Sequence, residues 1–140
     1  MLDHVTLRVS DYERSKAFYT TALAPLDYSV MAAFEHEGAK IAGFGWTGPD
    51  GRQKVDWWIV QLLAGAGADA VSGPTHLALT ARDRARVDAF HAAAIAAGGR
   101  DNGPPGLRPH YHQHYYGAFA RDPDGNNIEA VCHAPVTKSP

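Results

Sequence analysis

Little in this chain of 140 residues points to a covalent staple, a membrane or a nucleic acid. Its one cysteine, Cys132, excludes an internal disulfide framework. No apolar run approaches the roughly 20 residues that cross a bilayer, so no membrane partner is expected. Thirteen Lys and Arg against fifteen Asp and Glu leave a formal net charge of −2. The basic surface that neutralises phosphates is missing, and nucleic acid is not an expected partner. Met1-Leu2-Asp3-His4 runs straight into a strand-like pattern without the basic and apolar regions of a signal peptide. The cytoplasm is the expected compartment. A hydrophobic content of 45% suits one domain, residues 1–140, with a core of its own.

Histidine, by contrast, is plentiful. There are eight, and His110, His112, His114 and His133 fall in the last quarter of the chain. Fourteen glycines and nine prolines imply frequent turns and a strand-rich fold with short connections.

Sliding the sequence against itself by 72 residues exposes a repeat. His4 falls on His76, Leu7 on Leu79, Asp11 on Asp83, Arg14 on Arg86, Ala17 on Ala89, Phe18 on Phe90, Ala22 on Ala94 and Ala24 on Ala96. Each copy has the same grammar. The segment from His4 to Val9 alternates apolar and polar residues, the period of a half-buried strand. Ser10 with Glu13 reads as a capping box opening a helix, and Pro25 ends it. In the second copy Thr75–Ala81 is the strand, Asp83 opens the helix, and Gly98-Gly99 stops it. Further strands are expected at about 27–35, 40–46 and 55–62, and at about 99–102, 114–121 and 126–132. Gly48-Pro49-Asp50-Gly51 and Asp122-Pro123-Asp124-Gly125 supply turns between them. The spacing predicts an α+β chain of two βαβββ modules, about 1–63 and 74–133, joined by a linker at 64–73 and followed by a tail at 134–140. One module alone would leave a sheet face bare, so the two must share a core.

A duplicated βαβββ unit with a histidine on the first strand of each copy, ending in Asp122-Pro123-Asp124-Gly125 and Glu129, resembles the vicinal oxygen chelate superfamily. Glyoxalase I, the extradiol dioxygenases and the bleomycin-resistance proteins belong to it. The resemblance runs from His4 to His133 and implies two tandem modules around one metal-binding cavity. It also implies that His4, His76 and Glu129 hold one divalent ion. By alternation, Asn127, Glu129 and Val131 share one face of the last strand. Two imidazoles and a carboxylate form a triad that leaves positions open for substrate and suits Fe2+, Mn2+, Ni2+, Co2+ or Zn2+.

Glyoxalase I carries a further Glu or Gln on the fourth strand of its first half. Here that strand reads Val55-Asp56-Trp57-Trp58-Ile59-Val60-Gln61. Tryptophan or an aliphatic residue takes the expected place, and Asp56 and Gln61 lie towards the ends. One of Trp57 and Trp58 is expected to wall the substrate cavity and the other to join the core. In the segment Gly106–Tyr116, Arg108 has the planar fork that suits a carboxylate, and His110 or His112 could shuttle protons near neutral pH. If this segment is extended, its alternate histidines point to one side. The extradiol signature places a tyrosine three residues before Asp122, where this chain has Phe119, with Tyr115 or Tyr116 as substitutes.

The expected function is therefore a metal-dependent enzyme acting on a small substrate with vicinal oxygens. Glu129, His110 and His112 would be catalytic, and Arg108, Trp57, Trp58 and Tyr115 would contact substrate. Phe119 favours a lyase or isomerase over an extradiol-type dioxygenase. A metal-free drug-binding protein like the bleomycin-resistance members is the alternative, with Trp46, Trp57, Trp58 and Tyr111 as aromatic walls. Symmetric pairing of the sheets makes a homodimer the expected assembly.

Overall fold

The computed structural model describes residues 2–67 and 71–135. The end of the expected tail and residues 68–70 of the expected linker lie outside the described residues. The first module comprises β1 (Val5–Val9), α1 (Tyr12–Ala22), a 3₁₀ turn (Ala24–Leu26), β2 (Ser29–His36), β3 (Ala39–Thr47) and β4 (Gln53–Gln61). The second comprises β5 (His76–Thr80), α2 (Arg84–Ala96), β6 (Arg100–Leu107), β7 (Tyr116–Arg121) and β8 (Asn127–Cys132). Each module folds into its own four-stranded sheet, in the orders β1-β4-β3-β2 and β5-β8-β7-β6. The first strand of each module runs parallel to the last, and the other neighbours are antiparallel.

The repeat is visible down to the caps. The Asp11 carboxylate accepts the Arg14 N–H at 3.0 Å, and Asp83 accepts the Arg86 N–H at 2.9 Å. The expected Ser10–Glu13 capping box does not form. Its Glu13 reaches Lys40 Nζ at 2.7 Å, and the Ser10 hydroxyl donates to Asp124 of the other module. An aspartate one residue later caps the helix instead, accepting one of its free N–H groups. Strand β6 also departs from expectation, running on to Leu107 through Gly103-Pro104-Pro105-Gly106. Prolines cannot donate to a ladder, but β6 is an edge strand, and register shifts around the prolines absorb them.

Leu7, Val9, Phe44 and Ile59 pack under Phe18 and Tyr19 of α1. Leu79, Ala118, Ala120, Ile128 and Ala130 pack under Val87, Phe90 and Ala94 of α2. The two sets form one buried cluster, and α1 and α2 lie against each other between them. A buried polar link spans the junction, where the Tyr19 hydroxyl donates to Asp122 Oδ2 at 2.5 Å. The other oxygen of Asp122 accepts the N–H groups of Asp124 and Asn126 at 3.0 and 2.7 Å, which folds the Asp122–Gly125 turn.

The second face of each sheet is left open. His4, Thr6 and Arg8 are exposed and alternate with buried Leu7 and Val9, while His76, Ala78 and Thr80 are exposed around buried Leu79. Strands β1 and β5 each form one edge of their sheet.

Candidate active site

Chemistry collects on the open face of the second sheet. Glu129, in the middle of β8, is only 1% exposed although its side chain points away from the helix-covered side. Its register partners are Ala78 on β5 and Phe119 on β7. His76, two residues before Ala78, brings Nε2 to 2.9 Å from Glu129 Oε2. The Tyr115 hydroxyl donates to the other oxygen, Oε1, at 2.5 Å. The buried carboxylate thus has a partner on each oxygen, as burial of a charged group requires. Burial and the bond to Glu129 push ionisation of Tyr115 well above its ordinary range. Of the two tyrosines that could replace the phenol missing at Phe119, Tyr115 is the one that reaches Glu129. Tyr116 turns to the helix, where it donates to Asp88 at 2.8 Å.

Register identifies the corresponding place in the first module. Thr6, 72 residues before Ala78, pairs with Trp58, as Ala78 pairs with Glu129. Trp58 therefore stands where the second module has its carboxylate. It is half-buried, its ring meets Phe34 edge-on at 6.3 Å, and it lies over Gly43. A Cβ at Gly43 would come within 2.7 Å of the indole, so the close approach requires glycine there. Trp57 faces the other way, 3% exposed and packed on Tyr19 at 5.3 Å. Of the two neighbouring tryptophans, Trp57 joins the core with one rim bordering a cavity, and Trp58 belongs to the open face. Asp56 accepts the Trp46 indole N–H at 3.3 Å, and Gln61 Oε1 accepts the Lys40 N–H at 3.3 Å.

His4 sits apart from the His76–Glu129 pair. Its Nδ1 is 2.9 Å from Asp3, whose carboxyl this contact and Lys54 hold down at about 2. It lines a cavity of about 740 Å³ with Tyr28, Trp46, Asp56, Trp57 and Leu77, and neither His76 nor Glu129 borders that space.

The segment 108–115 is not extended. It coils through turns closed by bonds from Tyr111 N–H to the Arg108 carbonyl and from Tyr115 N–H to the His112 carbonyl, so its histidines do not share a side. His112 Nδ1 accepts the His114 N–H at 3.1 Å, which leaves the proton on Nε2 to be donated to His133 Nδ1 at 2.8 Å. The two rings stack at 5.0 Å, and both meet Tyr115 edge-on. His110 packs on Tyr111 at 4.3 Å, one ring further out. Sequence reasoning passed over His133, although period-two alternation from Glu129 through Val131 puts it on the same face. Arg108 lies over the Phe119 ring at 5.5 Å. Cys132 is buried in the core.

An imidazole nitrogen and a carboxylate oxygen suit the first-row divalent ions. Their separation of 2.9 Å is near that of neighbouring donors on an ion with bonds of about 2.1 Å. Among the described residues no third His, Cys, Asp or Glu joins them. The pair by itself supplies two donors of a kind and spacing that fit such an ion.

A family model described as the Glyoxalase/Bleomycin resistance protein/Dioxygenase superfamily matches residues 1–130. No curated protein matches the chain. Among solved structures, a glyoxalase/bleomycin resistance protein from Albidiferax ferrireducens T118 is 30% identical, with 95% of this chain and 98% of that one covered and a TM-score of 0.65. A glyoxylase/bleomycin resistance protein/dioxygenase domain from Frankia sp. EAN1pec is 20% identical, covering 94% and 96%, with a TM-score of 0.68. A glyoxalase I mutant from Zea mays is 24% identical, covering 93% of this chain but 46% of that one, with a TM-score of 0.70. No helix among the described residues is long and apolar enough to cross a membrane.

Proposed function

Because the chain belongs to the glyoxalase/bleomycin resistance protein/dioxygenase superfamily, we propose that it is a metal-dependent enzyme acting on a small substrate with vicinal oxygens. Its metal set is His76 and Glu129 of one chain with His4 of a second copy. The observation that carries this reading is the His76–Glu129 pair, two donors 2.9 Å apart on an uncovered sheet face. Two features support a shared site. His4 is exposed and lies away from the pair within its own chain, and both first strands, β1 and β5, offer a free edge. A symmetric pairing in which the edge of one module meets the other module of the partner would bring His4 to the pair.

A bound divalent ion supplies Lewis-acid polarisation of the substrate's two oxygens. The chain's own residues do the rest. Glu129, shielded by its neighbours, presents Oε2 beside His76 and keeps Oε1 against the Tyr115 hydroxyl. Tyr115 holds its proton through the physiological range, so it orients the carboxylate and can return a proton to it. His112 lies edge-on to Tyr115 and shares its Nε2 proton with His133, which gives the site an exchange route to solvent. Trp58 and Phe34 form an aromatic wall in the first module.

Phe119 in the tyrosine position of the extradiol pattern favours lyase or isomerase chemistry. The Tyr115–Glu129 bond supports a second reading, ring-opening oxygenation, because it returns a phenol to the carboxylate. The aromatic-lined cavity beside His4 supports a third, a small-molecule binding protein. Metal analysis separates the enzyme readings from the third. Wild-type protein purified without chelator should carry about one ion per chain, and His4→Ala, His76→Ala and Glu129→Ala should each lose it while circular dichroism stays native. Asp56→Asn with Gln61→Ala should keep it. A wild type that takes up none of Fe2+, Mn2+, Co2+, Ni2+ or Zn2+ refutes the metal reading.

A further inference from the structure

Arg108, at the start of the loop between β6 and β7, is pinned from several sides. Nη2 donates to the Pro104 carbonyl at 2.7 Å and Nη1 to the Leu107 carbonyl at 3.3 Å. The guanidinium lies over Phe119, 5.5 Å from the ring centre. Gly106 makes the close approach possible, since a Cβ there would stand 2.9 Å from Nη1. The bulged Gly-Pro-Pro-Gly run of β6 therefore serves to seat this side chain. These contacts fix the plane of the fork and leave its charge uncancelled. No carboxylate lies within ion-pair distance of Arg108 among the described residues.

The seat adjoins the chemistry. Phe119 is the register partner of Glu129 and packs against the His76 ring at 6.1 Å. One aromatic side chain thus touches both the proposed metal donors and the guanidinium. A fixed guanidinium with unused N–H groups matches a carboxylate, which it grips through two parallel bonds.

We propose that the substrate carries a carboxylate, bound by Arg108, about one aromatic ring's length from the vicinal oxygens that approach His76 and Glu129. This rests on the functional reading above, which it narrows to anionic substrates. A neutral molecule would leave the charge of the half-buried guanidinium uncancelled, whereas a carboxylate balances it and takes up its unused N–H groups.

The test compares 3,4-dihydroxybenzoate with its methyl ester, two probes with the same vicinal oxygens that differ in the charge at the far end. Both are titrated calorimetrically into the full chain, with and without Mn2+. The wild type should prefer the acid by about ten- to a hundredfold, the usual worth of a charge-assisted pair. Arg108→Gln should bind acid and ester within about twofold of each other, and Arg108→Lys, which keeps the charge without the fork, should fall between. If Arg108→Gln does not fold by circular dichroism, the Lys variant carries the comparison. Equal binding of both probes by the wild type, binding of neither, or a preference that survives in the variants overturns the proposal. Failure of the metal reading has a different signature, an affinity for both probes that Mn2+ leaves unchanged.

Discussion

Two defective chains should repair each other if the site is shared between copies. His4→Ala removes a donor from the first module, and Glu129→Ala removes one from the second. In a dimer whose sites each combine His4 of one chain with His76 and Glu129 of the other, a hybrid of the two variants has one site lacking both donors. Its other site has all three. Random exchange of equal amounts makes about half the dimers hybrid, so about one quarter of the wild-type metal capacity should return, although neither variant alone holds stoichiometric metal. Hybrids isolated through two different affinity tags should carry about one ion per dimer. The measurement is elemental analysis after gel filtration, following co-refolding in excess Mn2+ or Zn2+. His76→Ala mixed with Glu129→Ala is the internal control. Those donors come from the same chain, so both sites of every hybrid are broken and nothing should return. Hybrid dimers that form yet stay metal-free, or a wild type that sediments as a monomer near 15.1 kDa at tens of micromolar, refute the shared site.

Tyr19→Phe should cost about 2 kcal/mol, because it strips a hydroxyl donor from the buried Asp122 carboxylate, and the denaturant midpoint should fall accordingly. Burial and Asp122 raise the Tyr19 ionisation well above its ordinary 10.0, so the folded state keeps a proton that the unfolded state gives up. The stability this contributes is fully present below pH 10 and is lost above it at about 1.4 kcal/mol per pH unit, and the variant's alkaline slope should be shallower by that amount. An alkaline slope identical in the two proteins would contradict the buried bond. Gly43→Ala should cost about 1–3 kcal/mol by pushing the Trp58 ring out of its seat, with a lower melting temperature and altered near-ultraviolet dichroism. Unchanged dichroism would mean that the indole is not held against β3.

The modules were legible because their signals are local. The aspartates at positions 11 and 83 cap helices through bonds three residues away, and the Asp122–Gly125 turn closes on itself. Such features depend on neighbours in the chain and survive duplication at a fixed offset. The pairing of His76 with Glu129 was half legible, since alternation puts Glu129 on a face but does not say which strand lies beside it. Whether Trp57 or Trp58 joins the core could not be read from two adjacent apolar residues, because alternation among apolar residues has no phase. The parallel register with β1 supplies that phase, burying Trp57 beside Val5. The coil of 108–115 was illegible for another reason. Its shape is set by backbone bonds within the loop and by the stacking of His112 on His133, a residue 21 positions away.

The difference between the two open faces has a physical account in the sheet itself. At corresponding register positions, the first module sets Trp58 beside Gly43 and the second sets Glu129 beside Phe119. The first module thus sets an indole against bare backbone, whereas the second sets two sizeable side chains, Glu129 and Phe119, next to each other. The exchange alters the chemistry without altering the fold. A carboxylate beside Phe119 can be buried and held by His76 and Tyr115, whereas an indole over Gly43 offers a flat apolar surface and a single N–H donor. The His76–Glu129 pair therefore belongs to the second module and the Trp58–Phe34 wall to the first. In the proposed shared site, a second copy of the chain would bring His4 of the first module to the His76–Glu129 pair of the second.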